Sequence, residues 1–373
     1  MTAQASRRTF ASAVVVVASR GRCRRRRAVP IRLWFVPVPH SPTFLPRGKR
    51  LPHHVTVVIP AWNVGRFIDE TLESVARQTL APADVVVIDD GSSDDTWERI
   101  QSWVGRMGST RFVPLTGPNY GLSASRNRGI LAGHGDLVAF LDGDDCFLPD
   151  HLERLVPAFE AVPSLAVAFG DLMCFDARRG DTGGNLELIR RALQHISRPI
   201  HGSSLQLLGP ELRSIYVDQA MILPSSWLVS REAIARAGMF NPAFAYGEDV
   251  DFLWRVLSTG PAAWYDGPTA RRREHDSNAS NPRRAAWSEP QVLRVAATLQ
   301  RTTRDPTPAE RDGLARLLQR SIHETGWLAS GDGLGAYLAW RDETRRLCGR
   351  RAPISMRHFL RASLRTFRRA PAV

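Results

Sequence analysis

The chain has 373 residues, 43% of them hydrophobic, and a formal net charge of +13. This length suits one large α/β domain with an appendage, or two modest domains, and the hydrophobic fraction is that of a globular protein. The charge is uneven, because residues 1–50 hold twelve basic and no acidic side chains, which leaves 38 basic and 37 acidic residues for the rest. The nearly neutral body argues against a nucleic-acid-binding surface, so we expect no nucleic-acid partner.

Residues 1–52 are predicted to be a basic, disordered tail. Their apolar stretch, residues 11–18, is too short to cross a bilayer, and the densest arginines follow it, whereas a signal peptide has its basic residues first. A stretch translated upstream of the true start, a transit peptide and a contact with anionic membranes are alternatives. No later segment has the length of a transmembrane helix and the four cysteines lack metal-binding spacing, so we expect a cytoplasmic protein.

From residue 54 onward, continuous apolar runs alternate with segments whose apolar residues recur at helical spacing. Strands are predicted at residues 55–59, 85–88, 112–115 and 137–141. Helices are predicted at residues 66–78, 121–133 and 151–161. This alternation indicates an α/β protein with an open, mostly parallel sheet flanked by helices, in which ligands bind beyond the carboxyl ends of the strands.

The second half of the chain has weaker patterns. Residues 177–219 are predicted to be irregular, a helix is predicted at residues 249–257, and the chain after residue 280 is predicted to be mainly helical. The last helix, at residues 356–369, places one apolar face opposite its arginines, and that face is made of Met356, Phe359, Leu360, Leu364 and Phe367. A helix of this kind either lies on an anionic membrane or packs on the rest of the protein.

Carboxylates follow two of the predicted strands. Asp89 and Asp90 close the second strand, and Asp142, Asp144 and Asp145 follow the fourth. Clustered carboxylates are poor core material and good ligands for a hard divalent cation, and residues i and i+2 of an extended turn project to the same side. The chain has a single lysine and no GxGxxG after a strand, so it lacks a phosphate loop. Phosphates would then be held by a metal ion and arginines.

Six segments, taken in this order and spacing, resemble the GT-A glycosyltransferases of family 2. They are residues 58–63, 87–94, 119–129, 140–145, 247–252 and 273–277. The resemblance covers residues 54–280. It implies a GT-A-like glycosyltransferase domain at residues 53–280, with an open, mostly parallel sheet flanked by helices, followed by a mainly helical region at residues 281–373.

The resemblance also implies a reaction. One sugar would move from a nucleotide-diphosphate sugar to a hydroxyl of a glycan, lipid-linked or small-molecule acceptor, with inversion and with Mn²⁺ or Mg²⁺ on the diphosphate. A UDP-sugar is favoured over a GDP- or dTDP-sugar, and a role in polysaccharide biosynthesis is expected. Processive relatives carry Q-x-x-R-W, but residues 291–295 lack the tryptophan, which favours a non-processive enzyme. The enzyme would be cytoplasmic, either free or in peripheral contact with the inner face of the membrane.

Residue roles follow from the same resemblance. Asp249 would be the general base, with Glu248 beside it and Asp251 as a competitor. The nucleotide-sugar would be bound by Pro60, Asn63, Asp89, Asp90, Arg126 and Asp142, and the metal by Asp142, Asp144 and His275. Each acid also has an ordinary structural explanation, because turns and helix N-termini are rich in aspartate and glutamate.

Two other functions are compatible with these residues. A nucleotidyltransferase acting on sugar phosphates also uses carboxylates and Mg²⁺ on an α/β sheet, but it releases pyrophosphate rather than a nucleoside diphosphate. A non-catalytic protein that binds glycans or nucleotides could have a decayed site. The presence of Asp89, Asp142, Asp144 and Asp249 argues against such decay.

Overall fold

The computed structural model describes residues 53–369 except 177–178, 220, 279–280, 282–284, 350–351 and 353–354, so the predicted tail at residues 1–52 lies outside the described residues. The strands of the described part are β1 (Val55–Ala61), β2 (Asp84–Asp89), β3 (Arg111–Thr116), β4 (Leu137–Phe140), β5 (Cys146–Phe147), β6 (Val167–Asp176), β7 (Gly180–Gly184), β8 (Ser197–Pro199), β9 (Leu205–Leu208), β10 (Trp227–Ser230) and β11 (Ala262–Glu274).

The α-helices of the described part alternate with these strands in the first half and follow one another in the second. They are α1 (Ile68–Ala76), α2 (Thr96–Ser102), α3 (Leu122–Ala132), α4 (His151–Leu155), α5 (Pro157–Ala161), α6 (Arg190–Ile196), α7 (Leu212–Gln219), α8 (Arg231–Ala237), α9 (Glu248–Val256), α10 (Ala285–Thr302), α11 (Pro308–Gly331), α12 (Leu334–Cys348) and α13 (Met356–Arg369).

The strands form one mixed sheet in the order β3-β2-β1-β4-β10-β6-β11-β9-β8, with β5 paired to β11 and β7 to β6. The four strands from β3 to β4 are parallel to one another, while β10 runs antiparallel to both of its neighbours. Helical crossovers connect the parallel strands, as parallel pairing requires. The predicted α/β class and the predicted parallel strands are confirmed.

Both faces of β1, β2 and β4 are covered, which explains why their sequences are almost continuously apolar. Along β1, Val58 packs into the core on one face of the sheet, and Val57 and Ile59 pack into the core on the other. Successive strand residues point to opposite faces, so a strand buried on both sides needs apolar residues at every position. The polar residues are thereby confined to the strand ends.

Three predictions about local structure differ from what is observed. Strand β1 runs through Pro60 to Ala61 instead of stopping before the proline. The single helix predicted at residues 151–161 is two short helices, α4 and α5, and Pro157 begins the second because it cannot donate the hydrogen bond of a helix interior. Residues 177–219 are not irregular, since the described part of this segment contains β7, α6, β8, β9 and α7.

The C-terminal helices share the core of the sheet. Leu293 and Val295 of α10 and Leu314 and Leu317 of α11 are buried in the same apolar cluster as Phe252 of α9. The last helix, α13, packs against α11 and α12. Among the helices of the described residues, none is both long and apolar enough to cross a bilayer.

Candidate active site

The carboxyl ends of β1, β2 and β4 meet at one edge of the sheet. Gly143 allows the loop after β4 to lie directly against β1, because a Cβ at this position would be 2.9 Å from the carbonyl oxygen of Pro60. Asn63 follows β1 with a φ of 52°, and its side-chain oxygen accepts a hydrogen bond from the Ser93 amide at 2.8 Å. The loops after the three strands are therefore held together by short-range contacts.

The two carboxylates at the end of β2 are buried, and each holds a loop. Asp89 accepts hydrogen bonds from the Ser92 amide at 3.2 Å and from the Thr116 hydroxyl at 2.9 Å. Asp90 accepts two from the backbone amides of Tyr120 and Gly121, at 2.9 and 2.8 Å. Because each carboxylate keeps further lone pairs, these bonds leave capacity for a ligand.

A fully buried guanidinium, that of Arg126 on α3, connects the two acidic segments of the site. It donates one hydrogen bond to Asp142 at 2.7 Å and another to Glu248 at 2.6 Å, and it lies over the ring of Phe240 at 5.2 Å. Burial lowers the pKa of Arg126, but the carboxylates of Asp142 and Glu248 outweigh it and raise that pKa above its usual value. Arg126 thus fixes the loop after β4 relative to the start of α9.

Removing this cation is expected to be strongly destabilising. In an Arg126→Met variant, the buried carboxylate of Glu248 loses its partner, and breaking such a pair from one side costs about 3–5 kcal/mol. Urea unfolding followed by circular dichroism measures the loss. The exposed pair of Arg77 and Glu73 supplies the control, because Arg77→Met breaks a solvated pair and is expected to leave the midpoint nearly unchanged. Equal midpoints for the two variants would contradict the prediction.

Asp142 and Asp144 form a D-x-D pair, and its second carboxylate, that of Asp144, faces a histidine. Nε2 of His275, the residue after β11, lies 2.9 Å from Oδ2 of Asp144. The other ring nitrogen of His275 is 2.7 Å from the Ser277 hydroxyl, and the ring packs against Phe67 with centroids 4.7 Å apart. These contacts fix the orientation of the imidazole, as is usual for a histidine that binds a metal.

The residues present fit a divalent metal held jointly with a phosphate ligand. Asp144 and His275 offer adjacent oxygen and nitrogen ligands, and Asp142 keeps one oxygen that Arg126 does not use. In the described residues, however, no group of three His, Cys, Asp or Glu side chains is arranged to hold a metal ion by itself. Mg²⁺ and similar ions commonly take one or two carboxylates and complete their shell with substrate phosphates and water.

Asp145 has a different environment from its two neighbours. It is buried and accepts hydrogen bonds from the Ser225 hydroxyl at 2.7 Å and from the backbone amide of Arg273 at 3.0 Å. Burial, with the nearby charges of Asp144 and Asp142, raises the pKa of Asp145 well above its usual value. Sequence patterns did not single out Ser225, which reaches Asp145 from 80 positions away.

Residues 247–251 form an acidic turn at the start of α9. In this turn the carboxyl group of Asp249 differs from those of its neighbours, which form ion pairs. Gly247 adopts a φ of 77°, which favours glycine, and Glu248 and Asp251 are occupied by Arg126 and Arg255. Asp249 accepts a hydrogen bond from the Val250 amide at 2.9 Å. Burial and the charge of Glu248 raise the pKa of Asp249 to about 7, close to that of an effective general base at neutral pH.

The structure therefore brings most of the predicted site residues to one edge of the sheet. Pro60, Asn63, Asp89 and Asp90 lie at the ends of β1 and β2, and Asp144 contacts His275 directly. Arg126 joins the Asp142 loop to the Glu248–Asp249 turn. The roles assigned to these residues in binding and catalysis stay predictions.

Comparison with known proteins finds similarity to glycosyltransferases. Residues 56–222 match the family model described as glycosyl transferase family 2. EpsJ of Bacillus subtilis, described as an uncharacterized glycosyltransferase, is 34% identical over 28% of this chain and 30% of its own length. A glucosyl-dolichyl phosphate glucuronosyltransferase of Haloferax volcanii is 36% identical over 31% of this chain and 37% of its own length. The chain thus spans about a third of the length of these two curated relatives.

Solved structures with low sequence identity share the fold. TarS of S. aureus in complex with UDP-GlcNAc matches 79% of this chain and 81% of its own, with a TM-score of 0.57 and 16% identity. The mannosyltransferase PcManGT from Pyrobaculum calidifontis, in complex with GDP-Man and Mn²⁺, matches 86% of this chain and 88% of its own, with a TM-score of 0.50 and 16% identity. Residues 56–222 therefore match glycosyl transferase family 2, and the described fold is that of the GT-A glycosyltransferases.

Proposed function

We propose that this protein is an inverting, non-processive glycosyltransferase that moves one sugar from a nucleotide-diphosphate sugar to an acceptor hydroxyl. The observation that carries the proposal is the double ion pair of Arg126. Its single guanidinium donates hydrogen bonds both to Asp142 and to Glu248, the residue before the candidate base Asp249. The two segments are therefore held close to each other. A donor diphosphate on one side and an acceptor hydroxyl on the other would then meet between these two segments.

In this proposal the two segments have separate tasks. Asp142, Asp144 and His275 would hold the Mn²⁺ or Mg²⁺ that neutralises the diphosphate as it leaves. Asp249 would accept the proton of the acceptor hydroxyl as that oxygen attacks the anomeric carbon from the face opposite the diphosphate, which inverts the configuration. Glu248 would stay paired with Arg126 and would help to keep the Asp249 carboxyl basic.

The other predicted site residues at this edge of the sheet would bind the nucleotide. Asp89 is proposed to accept a hydrogen bond from the base, with Pro60, Asn63 and Asp90 shaping the loops around it. Arg126 is proposed to act on the donor by positioning Asp142. The donor class has support from relatives, since the matched structures were solved with UDP-GlcNAc and with GDP-Man, and a UDP-sugar is the preferred proposal.

Thermal shift and product analysis together test this function. We expect a UDP-sugar to raise the melting temperature of the full chain more in the presence of Mn²⁺ than in its absence, because only the folded state binds the donor. GDP- and dTDP-sugars are the comparison donors. The released product should be a nucleoside diphosphate, and release of pyrophosphate would instead identify a nucleotidyltransferase. Stabilisation by none of these donors would argue against the proposal.

Transfer should depend on pH through Asp249. Because its pKa is raised to about 7, the carboxyl group is mostly protonated below that pH and cannot accept a proton. We expect kcat/KM to fall about tenfold for each pH unit below about 7 and to level off above it. The measurement is the initial rate at subsaturating donor between about pH 5.5 and 9. A flat profile across pH 7 would contradict the assignment of Asp249 as the base.

For the acceptor, we propose a glycan or lipid-linked acceptor and peripheral contact with the cytoplasmic face of the membrane. Helix α13 supports the membrane contact, because it is buried on one side through His358 and Ala362, while Met356, Leu360 and Leu364 are 67%, 55% and 60% exposed. The helix also has five arginines and no acidic residue. An exposed apolar row on a basic helix suits the boundary between headgroups and acyl chains of an anionic bilayer.

Vesicle sedimentation tests the membrane contact. We expect the full chain to sediment with vesicles of phosphatidylcholine and phosphatidylglycerol, and the double variant Leu360→Glu/Leu364→Glu to stay in the supernatant. Leu338→Glu is the matched control, because Leu338 of α12 is 45% exposed and should not affect binding. Vesicles of phosphatidylcholine alone should bind more weakly, since anionic lipids attract the arginines. Equal sedimentation of the wild type and the double variant would contradict the proposal.

A further inference from the structure

Two aromatic rings lie beside the acidic turn and have no part in the mechanism above. Tyr246 directly precedes Gly247, and Trp287 lies in the first turn of α10. Their ring centroids are 5.6 Å apart and their planes make an angle of 69°. Tyr246 is half-buried, whereas 45% of Trp287 is exposed. The two rings therefore meet edge to face, and Trp287 gives the pair its solvent-exposed apolar surface near the turn of Glu248 and Asp249.

The position of this surface relative to the turn is fixed by packing. Gly247 has a φ of 77°, and a Cβ added there would lie 3.3 Å from a methyl group of Val295. Val295 is a buried residue of α10, two helical turns after Trp287. Helix α10 thus rests directly on the turn that carries Asp249, and the ring contact between Trp287 and Tyr246 joins the start of the helix to the same segment.

Polar groups lie near Tyr246. Burial, together with the charges of Asp249 and Glu248, raises the pKa of Tyr246 to about 12, so its phenol keeps its proton and can donate it in a hydrogen bond. Glu289, two residues after Trp287, is also among the charges that act on Tyr246. Tyr246 therefore supplies one hydroxyl donor, and carboxylates of the turn and of α10 are near it.

This combination matches the chemistry of a pyranose ring. One face of a pyranose consists of C–H groups that pack on the electron-rich face of an aromatic ring, and its rim consists of hydroxyls that need polar partners. A scattered exposed tryptophan is ordinary on a protein surface. An exposed tryptophan that contacts the segment carrying a proton acceptor is suited to orient a sugar hydroxyl toward that acceptor.

We propose that Trp287, with Tyr246, forms a stacking platform for the pyranose ring of the acceptor next to Asp249. The identity of this ring as the acceptor rests on the proposed function, but its binding does not, because the platform needs neither the donor nor a metal ion. The platform would make the acceptor a sugar, free or lipid-linked, and not a small molecule without a pyranose ring.

Saturation-transfer NMR with methyl pyranosides tests the platform on the full chain. The probes are methyl glucopyranoside, methyl mannopyranoside and the methyl glycoside of N-acetylglucosamine. We expect at least one of them to bind, with the strongest saturation on the C–H protons of one ring face. Trp287→Ala should weaken this binding about tenfold, the scale of an aromatic contact, and Trp287→Phe should restore most of it. Leu338→Ala, with the same 45% exposure, is the control and should bind like the wild type.

Two outcomes would overturn the platform: equal binding by Trp287→Ala and the wild type, or no binding of any probe by the wild type. Circular dichroism of each variant shows whether its fold is intact. A kinetic arm separates this result from the proposed function. Trp287→Ala should raise the KM for a pyranoside acceptor about tenfold, whereas Leu338→Ala should leave that KM unchanged. If no donor binds but the pyranosides do, the proposed function fails and the platform stands.

Discussion

Asp249→Asn is expected to lower kcat for sugar transfer about a thousandfold and to leave the Kd of the donor unchanged. The amide has nearly the same shape, and its oxygen can still accept the hydrogen bond from the Val250 amide, so the turn should keep its conformation. What the amide cannot do is accept the proton of the acceptor hydroxyl. Steady-state rates with a saturating donor, together with calorimetric titration of that donor, measure the two quantities separately.

The neighbouring Asp251 provides a matched comparison on the same helix. Its carboxylate is buried and paired with Arg255 at 2.6 Å, so it is a poor proton acceptor and a good structural anchor. Asp251→Asn should therefore lower the melting temperature and retain transfer. If Asp251→Asn abolished transfer while Asp249→Asn retained it, the base would have to be reassigned. A loss of donor affinity in Asp249→Asn would mean that Asp249 binds the donor instead.

Asp144→Asn is expected to reduce kcat/KM about a hundredfold or more and to remove most of the Mn²⁺-dependent stabilisation by the donor. An amide oxygen is a weaker ligand than a carboxylate for a hard cation, and a bound cation supplies several kcal/mol of charge stabilisation to a leaving diphosphate. The loss should appear in both kcat/KM and the donor Kd. Melting curves with donor, with and without Mn²⁺ or EDTA, give the metal-dependent part directly.

Two further variants show whether the effect belongs to the metal site. His275→Gln should produce a smaller loss of the same kind, because its ring is held against Asp144 and fixes that ligand's geometry. Asp95→Asn is the control, since Asp95 forms an exposed pair with Arg99. Mn²⁺-dependent stabilisation of Asp144→Asn equal to that of the wild type would exclude Asp144 as a ligand.

The parallel half of the sheet was predictable because its signals are local. A run such as Val85–Ile88 is apolar at every position, and such a strand must be buried on both faces. The location of Asp89 and Asp142 at a common edge then follows from parallel pairing alone. The break at Pro157 was also visible in the sequence, but the apolar spacing across residues 151–161 favoured one continuous helix.

The segment at residues 177–219 shows where local patterns fail. Strand β9 is only four residues long and is formed by pairing with β11, more than fifty positions later. The two carboxylate partners of Arg126 lie 16 and 122 positions from it, so its burial depends on the whole fold. Ser225 was missed for the same reason. Contacts of this kind follow from the topology of the chain, which no short window of sequence contains.

The packing of α10 and α11 has a practical consequence for preparing the protein. One apolar cluster contains Phe252 together with Leu293, Val295, Leu314 and Leu317. Phe252 belongs to α9 and lies within two helical turns of the acidic turn at the start of that helix. A shortened chain that ends after β11 would uncover this cluster and give an aggregation-prone surface. Fragments for crystallisation or for isotope labelling should therefore be trimmed at the N-terminal end and should retain both helices.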